Sequence, residues 1–118
     1  KPRFTIAPVD FGPREFVLND ESKQYFSRLA MDLQQAGNLE KLKIYIVGLA
    51  PEAATVKDQW IISAKRAQAC GEILSKILAP GKAEVYFWGG GKGGQWTHGS
   101  GPAPKEAQVL IAILYQND

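Results

Sequence analysis

Lys43-Ile44-Tyr45-Ile46-Val47-Gly48, a loop, and then Ile62-Ser63-Ala64-Lys65-Arg66-Ala67-Gln68-Ala69 form the stretch on which the fold turns. In the first run Leu42, Ile44 and Ile46 point to one side and Tyr45 and Val47 to the other. Apolar residues on both sides predict a central strand. Ala50-Pro51-Glu52-Ala53-Ala54 reads as a loop or weak turn. Thr55-Val56-Lys57-Asp58 has the spacing of a capping box, with Asp in place of the longer Glu. Trp60, Ile61, Ala64, Ala67, Leu74, Ile77 and Leu78 then predict the buried stripe of a long helix, which Pro80-Gly81 stops. Arg66 falls in the first half of that helix. A cation near a helix start and a strand end is where small anionic ligands can be gripped.

Working outward, Phe4-Thr5-Ile6-Ala7 reads as a short strand interrupted by Pro8, which suits a sheet edge. Gly12-Pro13 marks a turn. A first helix follows, capped by Asn19 or Asp20, with Tyr25, Phe26, Leu29, Ala30 and Leu33 as its apolar stripe. Gly37-Asn38 suits a left-handed helix end. Glu84-Val85-Tyr86-Phe87-Trp88 reads as a third strand. Val109 to Tyr115 is a continuous apolar run that predicts a strand buried on both faces. The order β-α-β-α-β-β predicts an α+β sandwich, with two helices packed on one face of a small mixed sheet. With 118 residues and no internal repeat, one domain over residues 1–118 is expected.

Composition narrows the function. Lys and Arg number 14 against 12 Asp and Glu, a net charge of +2, which gives no argument for nucleic acid. No apolar stretch is long enough to span a bilayer. No leader segment is legible ahead of the first strand, and cytoplasm and periplasm both stay open. The single Cys70 excludes an internal disulfide and a cysteine metal site, and its place in a helix reads as a small packed residue.

The glycine-rich segment 89–104 contains Gly89-Gly90-Gly91-Lys92-Gly93-Gly94, a literal G-x-G-x-x-G after a strand. A dinucleotide site needs a helix next, to place its N-terminus at the pyrophosphate. Gly99, Gly101, Pro102 and Pro104 follow instead, so the segment reads as a hairpin connection. His98, the only histidine, has no nearby cysteine or carboxylate with which to share a metal. Trp88 and Trp96 flank the loop: Trp88 fits a strand end in the core, and Trp96 reads either as a partner anchor or as a lid over the core. No activated nucleophile, acid pair or metal cluster is legible, so no enzyme, metal or cofactor is expected.

The sequence Ile62-Ser63-x-x-Arg66-Ala67, after a strand ending in glycine and a loop, resembles the helix signature of the OmpA-like (OmpA/MotB C-terminal) domain family. Val9-Asp10-Phe11-Gly12 with Leu18, Val85 to Gly90, and Val109 to Ile113 resemble that family's first, third and last strands. The likeness covers roughly residues 4–115. It implies the OmpA-like fold, a periplasmic location with outer-membrane association through segments outside this chain, and noncovalent binding of peptidoglycan through diaminopimelate. Arg66 would pair with a ligand carboxylate, Ser63 would set the helix, and Gln59 would stand for a family asparagine.

The resemblance also marks departures. Gly48-Leu49-Ala50-Pro51 stands where the family has Gly-x-Thr-Asp, so Pro51 replaces the acid and Glu52 is the candidate substitute. Glu106-Ala107-Gln108 stands where the family has Asn-Arg-Arg. Losing a charge-assisted contact costs roughly 1.5–3 kcal/mol. Two expectations therefore stand side by side. One is an envelope anchor holding peptidoglycan through Arg66, Glu52, Gln59 and Ser63. The other is a protein–protein module of an envelope assembly, such as a secretion system or motor, that has lost the ligand and uses Trp96 and the face near Pro51 as partner contacts.

Overall fold

The structure, a computed structural model, describes residues 3–93 and 107–116. Its elements are β1 (Thr5–Ile6), α1 (Asp20–Ala36), β2 (Leu42–Gly48), α2 (Val56–Leu78), β3 (Glu84–Gly89) and β4 (Val109–Tyr115). The four strands make one sheet in the order β1-β4-β2-β3. β2 runs parallel to β3 and antiparallel to β4, and β4 runs antiparallel to β1. Both helices pack on one face of this mixed sheet, as the order of elements predicts. The connection between β3 and β4 is not a hairpin, because the two strands lie on opposite sides of β2.

Local chemistry explains the boundaries. Asn19 caps α1 by accepting the Ser22 N–H at 2.8 Å, and Thr55 caps α2 by accepting that of Asp58 at 3.1 Å. At the other end of α1, Gly37 takes a positive φ of 81° and donates its N–H to Leu33 and Gln34 carbonyls. Among the described residues, no helix is long and apolar enough to cross a membrane.

The main core lies between helices and sheet. Phe26 and Ala30 of α1, and Ala67, Cys70, Leu74 and Leu78 of α2, close over Leu42, Ile44 and Ile46 of β2. The helix-free face has a smaller core, with Val47, Leu49, Ala107 and Leu110 covered by Phe4 and Trp88. Trp88 stands edge-on to Phe4, with ring centroids 6.3 Å apart, and Tyr45 stacks on Tyr86 at 5.4 Å.

Two expectations are corrected. The buried stripe of α2 is Ile62, Ser63, Arg66, Ala67, Cys70, Gly71, Leu74 and Leu78, while Trp60 and Ile61 are 49% and 42% exposed and Ala64 is exposed. The reason is steric. A Cβ on Gly48 would meet the Ser63 carbonyl oxygen at 2.0 Å, and a Cβ on Gly71 would meet the Phe87 ring at 2.3 Å. The helix thus settles on the sheet through Ser63, Ala67 and Gly71, which recur at every fourth position. A one-residue offset turns a helical face by about 100°, and that offset carries Trp60 and Ile61 outward. In β4, only Val109 to Ala112 are buried, whereas Ile113 and Tyr115 are about two-fifths exposed. Among the described residues, the short β1 pairs with Leu110 and Ile111 alone and reaches no further along β4.

Candidate functional site

Arg66 is completely buried. From Val56, the first residue of α2, it lies about 15 Å along the axis. The helix-terminal amides act within the first turn and do not reach it. Its partners come from two segments instead, residues 12–15 and the β2–α2 loop. Nε donates to the Glu15 carbonyl at 2.7 Å, Nη1 to the Leu49 carbonyl at 2.7 Å, and Nη2 to the Gly12 carbonyl at 3.3 Å. Glu52 takes the remaining donors as a fork, Oε1 from Nη1 at 3.1 Å and Oε2 from Nη2 in a short contact. An arginine has five N–H groups, and here each has an acceptor within the chain. The Phe11 ring lies over the guanidinium, 5.0 Å from Cζ to the centroid.

The loop sequence aims Glu52 at this fork. Ala53 N–H donates to the Ala50 carbonyl at 3.2 Å, closing a turn with Pro51 second and Glu52 third. Proline at the second position fixes the backbone angle that such a turn needs. Pro51 is half-buried, and its part in the site is to shape this turn. The Glu52 carboxylate also accepts the Arg14 N–H at 3.1 Å, and Arg14 takes a left-handed backbone, φ 62°, to deliver it. The Glu52 side chain is 28% exposed. Burial pushes its carboxyl pKa up, but the Arg66 hydrogen bonds, the backbone N–H groups and the Arg66 charge together outweigh burial and hold it below the ordinary glutamate value.

Arg66 and Glu52 are brought together; Gln59 and Ser63 serve other bonds. Gln59 Nε2 donates to the Ala53 carbonyl at 3.0 Å and fastens the β2–α2 loop to the helix. With the half-exposed Trp60 it borders a shallow cleft that has Lys92 among its other lining residues. Ser63 is buried; its Oγ donates to the Trp60 carbonyl at 3.1 Å and accepts the Gly91 N–H at 3.0 Å. It ties the start of the glycine-rich segment to α2. Gly90 N–H to Gly48 carbonyl, 2.9 Å, and Ala50 N–H to Gly91 carbonyl, 2.8 Å, complete that junction. Trp96 and His98, with segment 94–106, lie outside the described residues.

Several partners escaped sequence reading. The Gly12, Glu15 and Leu49 acceptors are backbone groups, which carry no side-chain signature. Gln108, read only as a departure from a family motif, grips the segment before α1 from both sides. It accepts the Phe11 N–H at 2.7 Å and donates to the Phe11 carbonyl at 3.1 Å. An uncharged amide thus holds the segment that covers Arg66.

A four-stranded mixed sheet of this order, with two helices on one face, is the fold of an OmpA-like domain. The chain folds as one. It matches the peptidoglycan-associated lipoprotein from Burkholderia pseudomallei with a TM-score of 0.64 at 22% identity, over 97% of this chain and 90% of that one. The C-terminal domain of Helicobacter pylori MotB matches with a TM-score of 0.69 at 17% identity, over 98% of this chain and 85% of that one. The OmpA-like domain of FopA1 from Francisella tularensis gives 0.58 at 15% identity, over 96% and 78%. At these identities the likeness is one of fold. No protein-family model and no curated protein matches the sequence.

Proposed function

We propose that this chain is a non-enzymatic cell-envelope domain that serves as a structural module of a periplasmic assembly, a secretion system or a motor. In it the Arg66–Glu52 pair holds the fold together and does not hold peptidoglycan. The observation that carries this reading is the closed fork: all five Arg66 N–H groups are bonded within the chain. A ligand carboxylate would have to displace Glu52 from a buried cation, and breaking such a pair costs about 3–5 kcal/mol before any new contact forms. The non-enzymatic part is supported by Cys70, whose thiol burial pushes up to about 12, so that it stays protonated and unreactive at neutral pH. The outer membrane is the proposed attachment, through segments outside this chain.

A second reading, an anchor on peptidoglycan, is favoured by one observation. The Glu52 carboxylate accepts three described hydrogen bonds and keeps 28% of the side chain in solvent. That exposed part of the carboxylate is where a ligand ammonium, such as that of diaminopimelate, would approach. Co-sedimentation with purified diaminopimelate-type sacculi separates the two readings. The structural module stays in the supernatant at micromolar protein. Retention that free diaminopimelate competes away would establish the anchor instead.

A further inference from the structure

The two edges of the sheet are finished differently. β1 has two residues, follows the exposed Arg3 closely and runs at once into Pro8. A short strand with a charge before it and a proline after it resists further pairing. β3 has six residues, Glu84 to Gly89, and is bonded along one side to β2 in parallel. No described residue adds a strand to its other side. In a parallel pair every second residue turns its N–H and C=O away from the neighbour, so a row of backbone donors and acceptors faces outward.

The sequence of β3 does nothing to guard that row. It has no proline and no lysine, and its one charge, Glu84, is engaged by Lys43 at 3.7 Å and by the Tyr86 hydroxyl at 2.7 Å. Tyr86 and Phe87 project to opposite faces and are 42% and 40% exposed. Natural sheets cover, charge or shorten an apolar edge of this length.

The strand is complementary to itself. In an antiparallel pairing of two copies about a twofold axis at Tyr86, Tyr86 meets its own counterpart and Val85 meets Phe87. Glu84 meets Trp88, so no like charges are opposed. Aromatic pairs and aromatic pairs with β-branched residues are the favourable cross-strand combinations. The tyrosine pair would extend the Tyr45–Tyr86 stack across the junction, and Val85 would cover the Phe87 ring, which rests on Gly71. The area sets the strength. One strand edge buries a few hundred Å² per copy, well short of the roughly 800 Å² per partner of a stable complex. Such a dimer is weak in free solution and gains from the high effective concentration of copies held within one assembly.

We propose that β3 is a self-association edge, through which two copies of this domain join antiparallel at Glu84–Gly89 into one continuous sheet. The inference rests on the strand edge alone and is independent of what Arg66 and Glu52 do. Sedimentation equilibrium of the whole chain from about 10 μM to about 1 mM spans the dissociation constants expected for so small an interface. The weight-average mass should climb toward that of a dimer at the upper end. Amide exchange of Val85 and Phe87, whose N–H groups face away from β2, should slow with concentration while that of β4 does not. Tyr86→Lys, which sets two cations face to face, should weaken association at least tenfold, and Tyr86→Phe should preserve it. A monomer mass throughout would overturn the proposal, as would a dimer whose β3 amides exchange at the monomer rate. The exchange measurement decides the matter on the unsubstituted chain if Tyr86→Lys fails to fold.

Discussion

The parallel strands β2 and β3 end level with each other, Gly48 opposite Gly89, yet the loops that leave them are held by different physics. The β2 loop is fixed by a buried cation that binds its own carboxylate and three carbonyls from two segments. The β3 loop, over the residues described, is fixed by neutral bonds: one serine hydroxyl and two backbone pairs. A buried charge that loses its partner is costly, whereas a typical neutral hydrogen bond contributes about 1 kcal/mol net. The β2 loop is therefore the strong joint of this end of the sheet, and the β3 loop is the one that can yield. Removing members of each joint in turn tests that ranking.

Arg66→Ala carries the largest expected effect. It empties a fully buried site, strands the Glu52 carboxylate and frees the Gly12, Glu15 and Leu49 carbonyls at once. Losses of this type run to about 3–5 kcal/mol for the ion pair alone, and a domain of this size holds only about 5–15 kcal/mol in total. Urea unfolding followed by circular dichroism should find the variant largely unfolded at 25 °C. A midpoint within error of the parent would mean that Arg66 does not join α2 to the other two segments.

Glu52→Gln comes next and adds a pH signature. The amide offers one acceptor where the carboxylate offers two, and it leaves the Arg66 charge unbalanced. Water reaches part of the side chain and screens the loss, so about 2–3 kcal/mol is expected at pH 7. Because the folded-state pKa of Glu52 is depressed, its stabilisation is complete above the unfolded value of about 4.3 and is lost as pH falls through the folded value. Stability curves of parent and variant should thus lie apart at neutral pH and converge below about pH 4. A constant gap down to pH 2 would rule out an ionised Glu52 as the partner.

The closeness of both strand ends to α2 gives a third test. A Cβ at Gly48 would lie 2.0 Å from the Ser63 carbonyl oxygen, and one at Gly89 would lie 2.6 Å from the Ala64 nitrogen. Both obstacles are backbone, so the helix itself must shift. Gly48→Ala should cost about 2 kcal/mol, toward the middle of the range for overpacking, and Gly89→Ala should cost less. The reverse order in thermal melts would mean that α2 sits closer to β3 than to β2 at this level.

Why the sequence discloses some of this and hides the rest follows from what each residue contributes. The strands, both helices and the Asn19 and Thr55 caps are legible because period and cap chemistry are local. The face of α2 is misread in its first half because two of its sheet-facing positions are Ser63 and Gly71, which a hydrophobicity count passes over in favour of Trp60 and Ile61, while Ala67, Leu74 and Leu78 are read correctly. Arg66 and Glu52 are legible as candidate partners, since a proline where an acid belongs draws attention to the acid beside it. That the pair is closed on itself is not legible. The deciding acceptors are carbonyls of Gly12 and Glu15, more than fifty residues away in sequence, and a backbone oxygen looks the same beneath any side chain.

Ser63→Ala carries the smallest expected effect and bears most directly on the weaker joint. The substitution removes the acceptor of the buried Gly91 N–H and the donor to the Trp60 carbonyl. The Trp60 carbonyl keeps its place in the α2 ladder, so only the Gly91 N–H is left without its partner. An unsatisfied buried donor costs about 1–3 kcal/mol. The bonds from Gly90 to Gly48 and from Ala50 to Gly91 remain to hold the backbone in place, which argues for the lower end. The loss should also stay local: amide exchange at Gly91 should accelerate by about tenfold, the equivalent of about 1.4 kcal/mol, while the Ala53 amide, which closes the Ala50–Ala53 turn that Arg66 holds through Leu49 and Glu52, keeps its protection. If the Ala53 amide accelerates along with Gly91, the two loops open as one unit, and the division of this end of the sheet into a charged joint and a neutral one fails.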